Sequence, residues 1–380
     1  MTLRDAARAF IAELGFSSTP ESIVAEMNDV MRRHYERDVP LKPGVKEYLR
    51  GLVRRGAALC TASATSVPLV KLCLRRLGVD VVYDTNLTAD LTIMEESAEF
   101  LEKVKTGAKL PMFTSCCPGW IQHVEHRHPH LMPQVSTCGS PMAMFGSLIR
   151  KQFAGENVYS VAIMPCTGKK FEAARPELEK DGERLIDLVI TTSELCDMIE
   201  EAGIDFAHLP DEEPDAPLGD YTGAGVIFGV TGGVTEAVIR RVLDDASPNT
   251  LQTIAECGVR GLEGIKAFTV TAGDLTIRIA VANGLANADK LIAKVESGEE
   301  QFDFIEVMAC PNGCIGGGGQ PPACNKRKAE RAEAIFKADE ACALRIPQQN
   351  PDLGYVYDTL LQGRAHELLH IHYPAHGDHA

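Results

Sequence analysis

The 380 residues contain no uninterrupted stretch of 18 apolar residues, so none reads as a membrane-spanning helix. The start, MTLRDAARAF, lacks the apolar core of a secretory leader. Positive charge is in deficit: 38 Lys and Arg stand against 53 Asp and Glu, a formal net charge of −15. Phosphate binding needs a net basic face, so nucleic acid is excluded as the main partner. No internal repeat is visible, and the one low-complexity tract is Gly316 to Gly319. That tract lacks the Gly-Lys-Ser/Thr of a P-loop, and Gly223-Ala-Gly225 misses the dinucleotide fingerprint because its next glycine is Gly229. These absences predict no membrane insertion, no nucleotide site and a reducing, cytoplasmic setting.

What is present is ordinary globular composition, 45% apolar and 24% charged. A chain this long buries a substantial core without staples, so its twelve cysteines are free for other work. Residues 1–48 read as helical, with Pro20 at a helix start and Pro40 and Pro43 as stops. Short apolar runs then alternate with helix-period segments. AALCTASA, LPMFTS, VYSVAIMP, DLVITT, AGVIFGV and FDFIEVMA read as buried strands. VPLVKLCLRRLG, ADLTIMEESAEFLEKVK, PGWIQHVEHRH, PMAMFGSLIRKQF and VTEAVIRRVL read as helices. The alternation predicts an α/β fold with two mainly parallel sheets flanked by helices; the architecture expected is two lobes with the active site in the cleft between them. The division expected is an N-terminal segment over 1–48, a first lobe over 49–155, a second over 156–318 and packing helices over 319–380. Asp211 to Asp220 reads as an inserted loop.

Three cysteine settings stand apart from the rest. Cys116 and Cys117 lie in TSCCPGW, Cys166 in MPCTGKK, and Cys310 and Cys314 in EVMACPNGC ahead of the glycine run. Each follows an apolar strand, at the rim where α/β sheets place their sites. A cubic iron–sulfur cluster takes four thiolates and needs backbone N–H donors near its sulfides. Pro and Gly beside a ligand turn the chain so that such N–H groups face inward. A lone cysteine at a strand end is ordinarily a small buried hydrophobe, which is the reading for Cys60, Cys73, Cys138, Cys196, Cys257 and Cys342. Three Cys-Pro or Pro-Cys turns together are not chance.

The segments TSCCPGW, MPCTGKKFEA and EVMACPNGCIGGGGQP resemble, in order, the three signatures of the catalytic domain of [FeFe]-hydrogenases. DTNLTADLTIMEE, GAGVIFGVTGGVTEA, VRGLEGIKAF and HELLHIHY support the resemblance, which covers about residues 55 to 373. It implies that Cys117, Cys166, Cys310 and Cys314 hold a [4Fe–4S] cluster. Cys314 would also bridge to a di-iron subsite bearing CO, cyanide and azadithiolate, the whole being the H-cluster. Cys116 would be the last proton relay, since a thiol exchanges protons near neutrality. Glu96 and Glu99, three apart on one helix face, and Ser136 would continue the path to solvent. Read alone, those three are a solvated acidic face and a turn serine. The resemblance further implies that Lys169 donates to a cyanide ligand with Glu172 beside it, that Met308 lies against the di-iron site, and that Ser63 approaches another cyanide.

Five positions depart from the commoner family pattern: Ser63 for Pro, Gly139 for Lys, Met142 for Gln, Lys103 for Arg, and Asn312 for Gly or another small residue. They bear on tuning of the cofactor and oxygen tolerance, not on the ligands. No C-x2-C-x2-C-x3-C run occurs, so electrons are expected directly from an external carrier such as ferredoxin or through a redox partner subunit. Asn325-Lys-Arg-Lys328 is the best basic docking patch for an acidic carrier. Maturation enzymes would supply the di-iron unit. His366-Glu-Leu-Leu-His370 matches H-E-x-x-H with His376 beyond, but Tyr373 stands where a glycine is expected and no Met-turn fits. His123, His126, His128 and His130 read as a polar helix end. The competing function is a non-catalytic relative, either a hydrogen sensor or an iron–sulfur assembly factor. Assembly factors carry additional N-terminal cysteines, whereas the first here is Cys60, and sensors often replace the relay cysteine that Cys116 supplies.

Overall fold

The computed structural model describes residue 19 and residues 58–63, 67–180, 182–273 and 275–373. The helical segment expected over residues 1–48 lies outside the described residues, Thr19 apart, as does the side chain of Ser63.

Two four-stranded sheets organise the chain. The first contains β1 (Ala58–Ser63), β2 (Val81–Asp84), β4 (Val158–Met164) and β5 (Leu188–Thr191) in the order β2-β1-β4-β5, all parallel. The second contains β3 (Met112–Phe113), β6 (Ile265–Ala272), β7 (Leu275–Asn283) and β8 (Phe304–Met308) in the order β3-β8-β7-β6. Only β6, hairpinned to β7, runs antiparallel in it. Each lobe is therefore a mainly parallel sheet, as the strand–helix alternation predicts. The lobes do not split at residue 155, however. β3 crosses into the second sheet, while β4 and β5 complete the first, so the division into 49–155 and 156–318 does not follow the sheets.

Helices α1 (Val67–Arg76), α2 (Asn86–Thr106), α3 (Pro118–Arg127), α4 (Pro141–Gln152), α5 (Gly168–Ala173), α6 (Thr192–Glu201), α7 (Gly233–Leu243), α8 (Leu285–Glu296) and α9 (Asn325–Ala341) cover the sheets. Their ends carry ordinary stop and start chemistry. Ser140 caps α4 by accepting from Ala143 N–H, with Pro141 at the first position, and Thr191 with Glu194 forms a capping box on α6. Gly107 ends α2 in the left-handed region. α2 joins the lobes: Leu87 and Leu91 pack in the core of the first, Ile93 and Phe100 in that of the second. α3 and α8 bury Trp120, Ile121, Val124, Ala288, Leu291 and Ile292 against the second sheet. Filling a core this closely contributes about 1.5–3 kcal/mol per large apolar side chain. Among the described residues no helix is long and apolar enough to cross a membrane.

AGVIFGV is not a strand. Gly223–Val226 and Ile227–Gly229 are two short helical turns wedged between α2 and α9. A short, uninterrupted apolar run has the same pattern in either state, and its glycines decide it. A Cβ at Gly225 would stand 2.6 Å from the carbonyl oxygen of Asn86, so the turn reaches α2 only because residue 225 has no side chain. Asp211 to Asp220 is a loop, as expected.

Candidate functional site

Parallel strands deliver the three motifs to one place. β3 ends at Phe113 and leads to Cys116 and Cys117, β4 ends at Met164 and leads to Cys166, and β8 ends at Met308 and leads to Cys310 and Cys314. All five cysteines line a single cavity of about 370 Å³ between the sheet ends, together with Met142, Lys169, Met308 and Phe228. The motifs also lock to each other: Gly319 N–H donates to the Pro165 carbonyl at 3.1 Å. Gly313 sits at φ 81°, where an added Cβ would meet the Thr231 nitrogen at 2.7 Å. Asn312, at φ 74°, takes the left-handed conformation that Asn tolerates best among side-chain-bearing residues, and its N–H donates to Asn283 Oδ1 at 2.6 Å. The left-handed backbone, with Asn283 Nδ2 donating to Asn312 Oδ1 at 3.4 Å, gives a reason for Asn at this departure from the family pattern.

The donor set suits a metal cluster. Burial raises the thiols of Cys117, Cys310 and Cys314 above their usual range, and each is raised further by at least one neighbouring cysteine of the set. Four thiols crowded into one volume cannot ionise together unless a cation joins them. Backbone N–H groups already turn toward the sulfurs: Ala309 N–H donates to Cys117 Sγ at 3.4 Å, and Gly318 N–H approaches Cys310. The site therefore fits an iron–sulfur group by thiol number, cavity and amide donors.

Lys169 is buried, and its ammonium donates to Glu172 Oε2 at 2.6 Å and to the Cys116 carbonyl at 3.1 Å. Burial opposes its charge, but Glu172 and the neighbouring thiols raise its pKa. Ser140 donates to the other Glu172 oxygen at 2.5 Å, which fixes the pair. Met308 is buried against Cys116 and Val234. Ser63 ends β1, but its side chain is not among those described. Gly139 also has a structural reason. A Cβ there would lie 2.8 Å from the Leu369 carbonyl, which accepts the Gly139 N–H, so a lysine would displace the chain's C-terminal segment.

Behind Cys116 lies a line of acids. Glu96 is wholly buried: Ser115 N–H donates to its Oε1 at 3.4 Å, and its Oε2 has no hydrogen-bond partner among the described residues. Burial and then the charge of Glu99 push its pKa up to about 8. Ser136 stands between the two acids, donating to Glu99 Oε2 at 2.8 Å and lying close enough to Glu96 to lower its pKa slightly. Glu99 is partly buried, yet Lys103 at 3.0 Å holds it below the usual carboxylate range. After burial, Glu96 is the largest influence on the Cys116 thiol, which lies well above its usual range.

The sequence reading missed the lateral extension of this line. Glu95 accepts from Tyr357 at 2.5 Å and meets His370 Nε2 at 3.2 Å, while His370 Nδ1 pairs with Thr137 Oγ1 at 2.8 Å. His370 thus serves this network rather than the zinc-protease motif, and His376 lies outside the described residues. No local signal could have joined residues separated by 233 to 275 positions.

The raised Glu96 gives a pH prediction. Its pKa is 4.5 ordinarily and about 8 when folded, so the folded protein keeps a proton that the unfolded chain sheds. The contribution of Glu96 to stability is greatest below pH 4.5 and falls as pH rises toward 8. Glu96→Gln removes the penalty, so its unfolding temperature should exceed wild type by more at pH 8 than at pH 6, measured by thermal denaturation of the cofactor-free protein. An equal difference at both pH values would contradict a protonated Glu96.

Comparison with known proteins agrees with this geometry. The C-terminal domain of the iron-only hydrogenase large subunit matches residues 55–318, and the iron hydrogenase small subunit matches residues 325–376. The chain is similar to an NADP-reducing hydrogenase subunit of Solidesulfovibrio fructosivorans, 44% identical over 84% of this chain and 57% of that protein. It is also similar to iron hydrogenase 1 of Clostridium pasteurianum, 43% identical over 79% of this chain and 55% of that one. The chain thus spans little more than half the length of these relatives. A solved apo [FeFe]-hydrogenase from Chlamydomonas reinhardtii superimposes with a TM-score of 0.70 at 37% identity, covering 88% of this chain and 99% of that one. A cytosolic iron–sulfur assembly component of Rattus norvegicus is more distant, 30% identical over 79% of this chain and 67% of that protein.

Proposed function

The chain belongs to the iron-only hydrogenase large-subunit family, and on that premise we propose that it reversibly interconverts dihydrogen with two protons and two electrons in the five-cysteine cavity. The observation that carries the reading is the position of Cys116: a fifth cavity thiol, beyond the four a cubane takes, with a buried acid line directly behind it. Cys117, Cys166, Cys310 and Cys314 would hold a [4Fe–4S] cluster, with Cys314 linking it to a di-iron unit carrying CO, cyanide and azadithiolate. When bound, that cofactor would supply iron-centred redox chemistry toward dihydrogen, with the net electrons exchanged with the carrier.

The protein's own residues do the remaining work. Cys116 passes protons between the cavity and Glu96. Neutral Glu96 can give a proton up without leaving a stable buried charge, and Ser136 links it to ionised Glu99, with Lys103 beyond. Lys169, held by Glu172 and Ser140, presents a fixed cationic donor to an anionic ligand in the cavity. Met308 and Met142 keep the wall apolar and dry. By the family resemblance, Ser63, the last residue of β1, would approach another cyanide ligand.

Electrons would come from an external carrier, ferredoxin by preference, or from a redox partner subunit, and the di-iron unit from maturation enzymes. Burial raises the Cys310 thiol and the charge of Lys328 partly offsets it, which supports the patch Asn325-Lys-Arg-Lys328 as the docking site near the proposed cubane ligands. A basic patch there steers an acidic donor. The cytosolic assembly relatives support a second, non-catalytic reading, against which the relay arrangement of Cys116, Glu96 and Ser136 weighs. The two are separated by infrared spectroscopy of the reconstituted protein, with bands of metal-bound CO and cyanide expected for the hydrogenase.

A further inference from the structure

Toward the C-terminal end of α3, away from Cys117 at its start, the histidine-rich stretch from His123 to His130 meets α8. His123 Nε2 and His128 Nε2 converge on one oxygen, Asp289 Oδ1, at 2.6 and 2.9 Å. One ligand atom from each of the three residues lies within 4.8 Å of the others. A single imidazole would satisfy that carboxylate oxygen as an ion pair; two imidazoles aimed at it form a converging donor set. Packing holds the set in place. His123 lies against Trp120, with ring centroids 6.2 Å apart, and Trp120 and Val124 are buried in one core cluster with Ala288 and Ile292 of α8. The histidine side chains are 15% and 19% exposed and Asp289 40%, so the group opens to water on one side.

We propose that His123, His128 and Asp289 form a site for a borderline divalent transition-metal ion, for which Zn²⁺ is the simplest occupant. Two neutral imidazole nitrogens and one carboxylate oxygen are a standard partial set for such an ion, with water completing the coordination. The bound ion replaces the imidazole protons now shared with Asp289 and ties the C-terminal end of α3 to α8. α3 starts immediately after Cys117, so the clip braces from outside the element that carries one wall of the cavity. The ligands are separate from the cavity thiols, and this site does not depend on the hydrogenase reading.

The test is a Zn²⁺ titration of the full chain reconstituted with iron and sulfide, so that the cavity thiols are occupied. Calorimetry gives the affinity, and anomalous scattering at the zinc edge gives the location. One Zn²⁺ bounded by His123, His128 and Asp289 is expected, with His128→Ala and Asp289→Asn each weakening binding about tenfold or more. His366→Ala is the control, because the rings of His366, His370 and His372 also cluster, at 4.3 and 5.6 Å. Its affinity should match wild type. Zinc located elsewhere, no binding, or unchanged affinity in both His128→Ala and Asp289→Asn would overturn the proposal.

Discussion

Cys116→Ala should retain its iron–sulfur cluster and lose hydrogen turnover by about 10²-fold or more, the usual worth of a positioned general acid. The thiol is the only group of the acid line that lines the cavity, while Glu96 and Ser136 stand behind it. Alanine leaves a gap at the cavity end of the path and cannot carry a proton. The change removes one sulfur from a wall shared with Val234 and Met308, so the packing cost is small. Iron content and the cubane's electron paramagnetic signal separate this outcome from collapse of the site. If Cys116→Ala turned over like wild type with a full complement of iron, protons would have to reach the cavity by another route.

Cys166→Ser and Cys310→Ser should show the opposite pattern, with most of the cubane iron lost and activity lost with it. Both thiols lie among the four beside Cys116 in the cavity, both help burial raise the Cys314 thiol, and the hard hydroxyl of serine is a poor thiolate substitute. Cys257→Ala is the control. Cys257 sits in the Ala255–Val259 turn against the core of the second sheet and does not line the cavity. It should keep its iron. Normal cluster iron in both serine variants would refute the ligand assignment.

Much of this was legible in the sequence, for identifiable reasons. The apolar runs that became β4, β5 and β8 are bounded by turns, and the helices beside them carry clear periodicity and caps. The cysteine motifs lie immediately after such strands, so their convergence follows from a parallel topology. Two things were not legible. AGVIFGV is a largely buried apolar run, and whether it is strand or helix depends on how closely Gly225 approaches Asn86, a contact made by the fold. The acid line is the other case. Glu96, Glu99 and Ser136 look like surface groups in sequence, and only the burial of Glu96 and Ser136 in the fold, with Ser136 bonded to Glu99, brings them together as the proposed path. The same holds for Gly139, whose lack of a side chain makes sense only beside Leu369. The swap of β3, β4 and β5 between lobes likewise reflects pairing across long stretches of chain.

The most direct measurement is infrared spectroscopy of the anaerobic protein after reconstitution with iron, sulfide and a synthetic di-iron precursor. Bands of metal-bound CO and cyanide that shift when dihydrogen is admitted are predicted, because the cavity holds four thiols for a cubane, a fixed ammonium at Lys169 and a relay thiol at Cys116. A protein that assembles the cubane yet never acquires those bands would contradict the account and favour the non-catalytic relative.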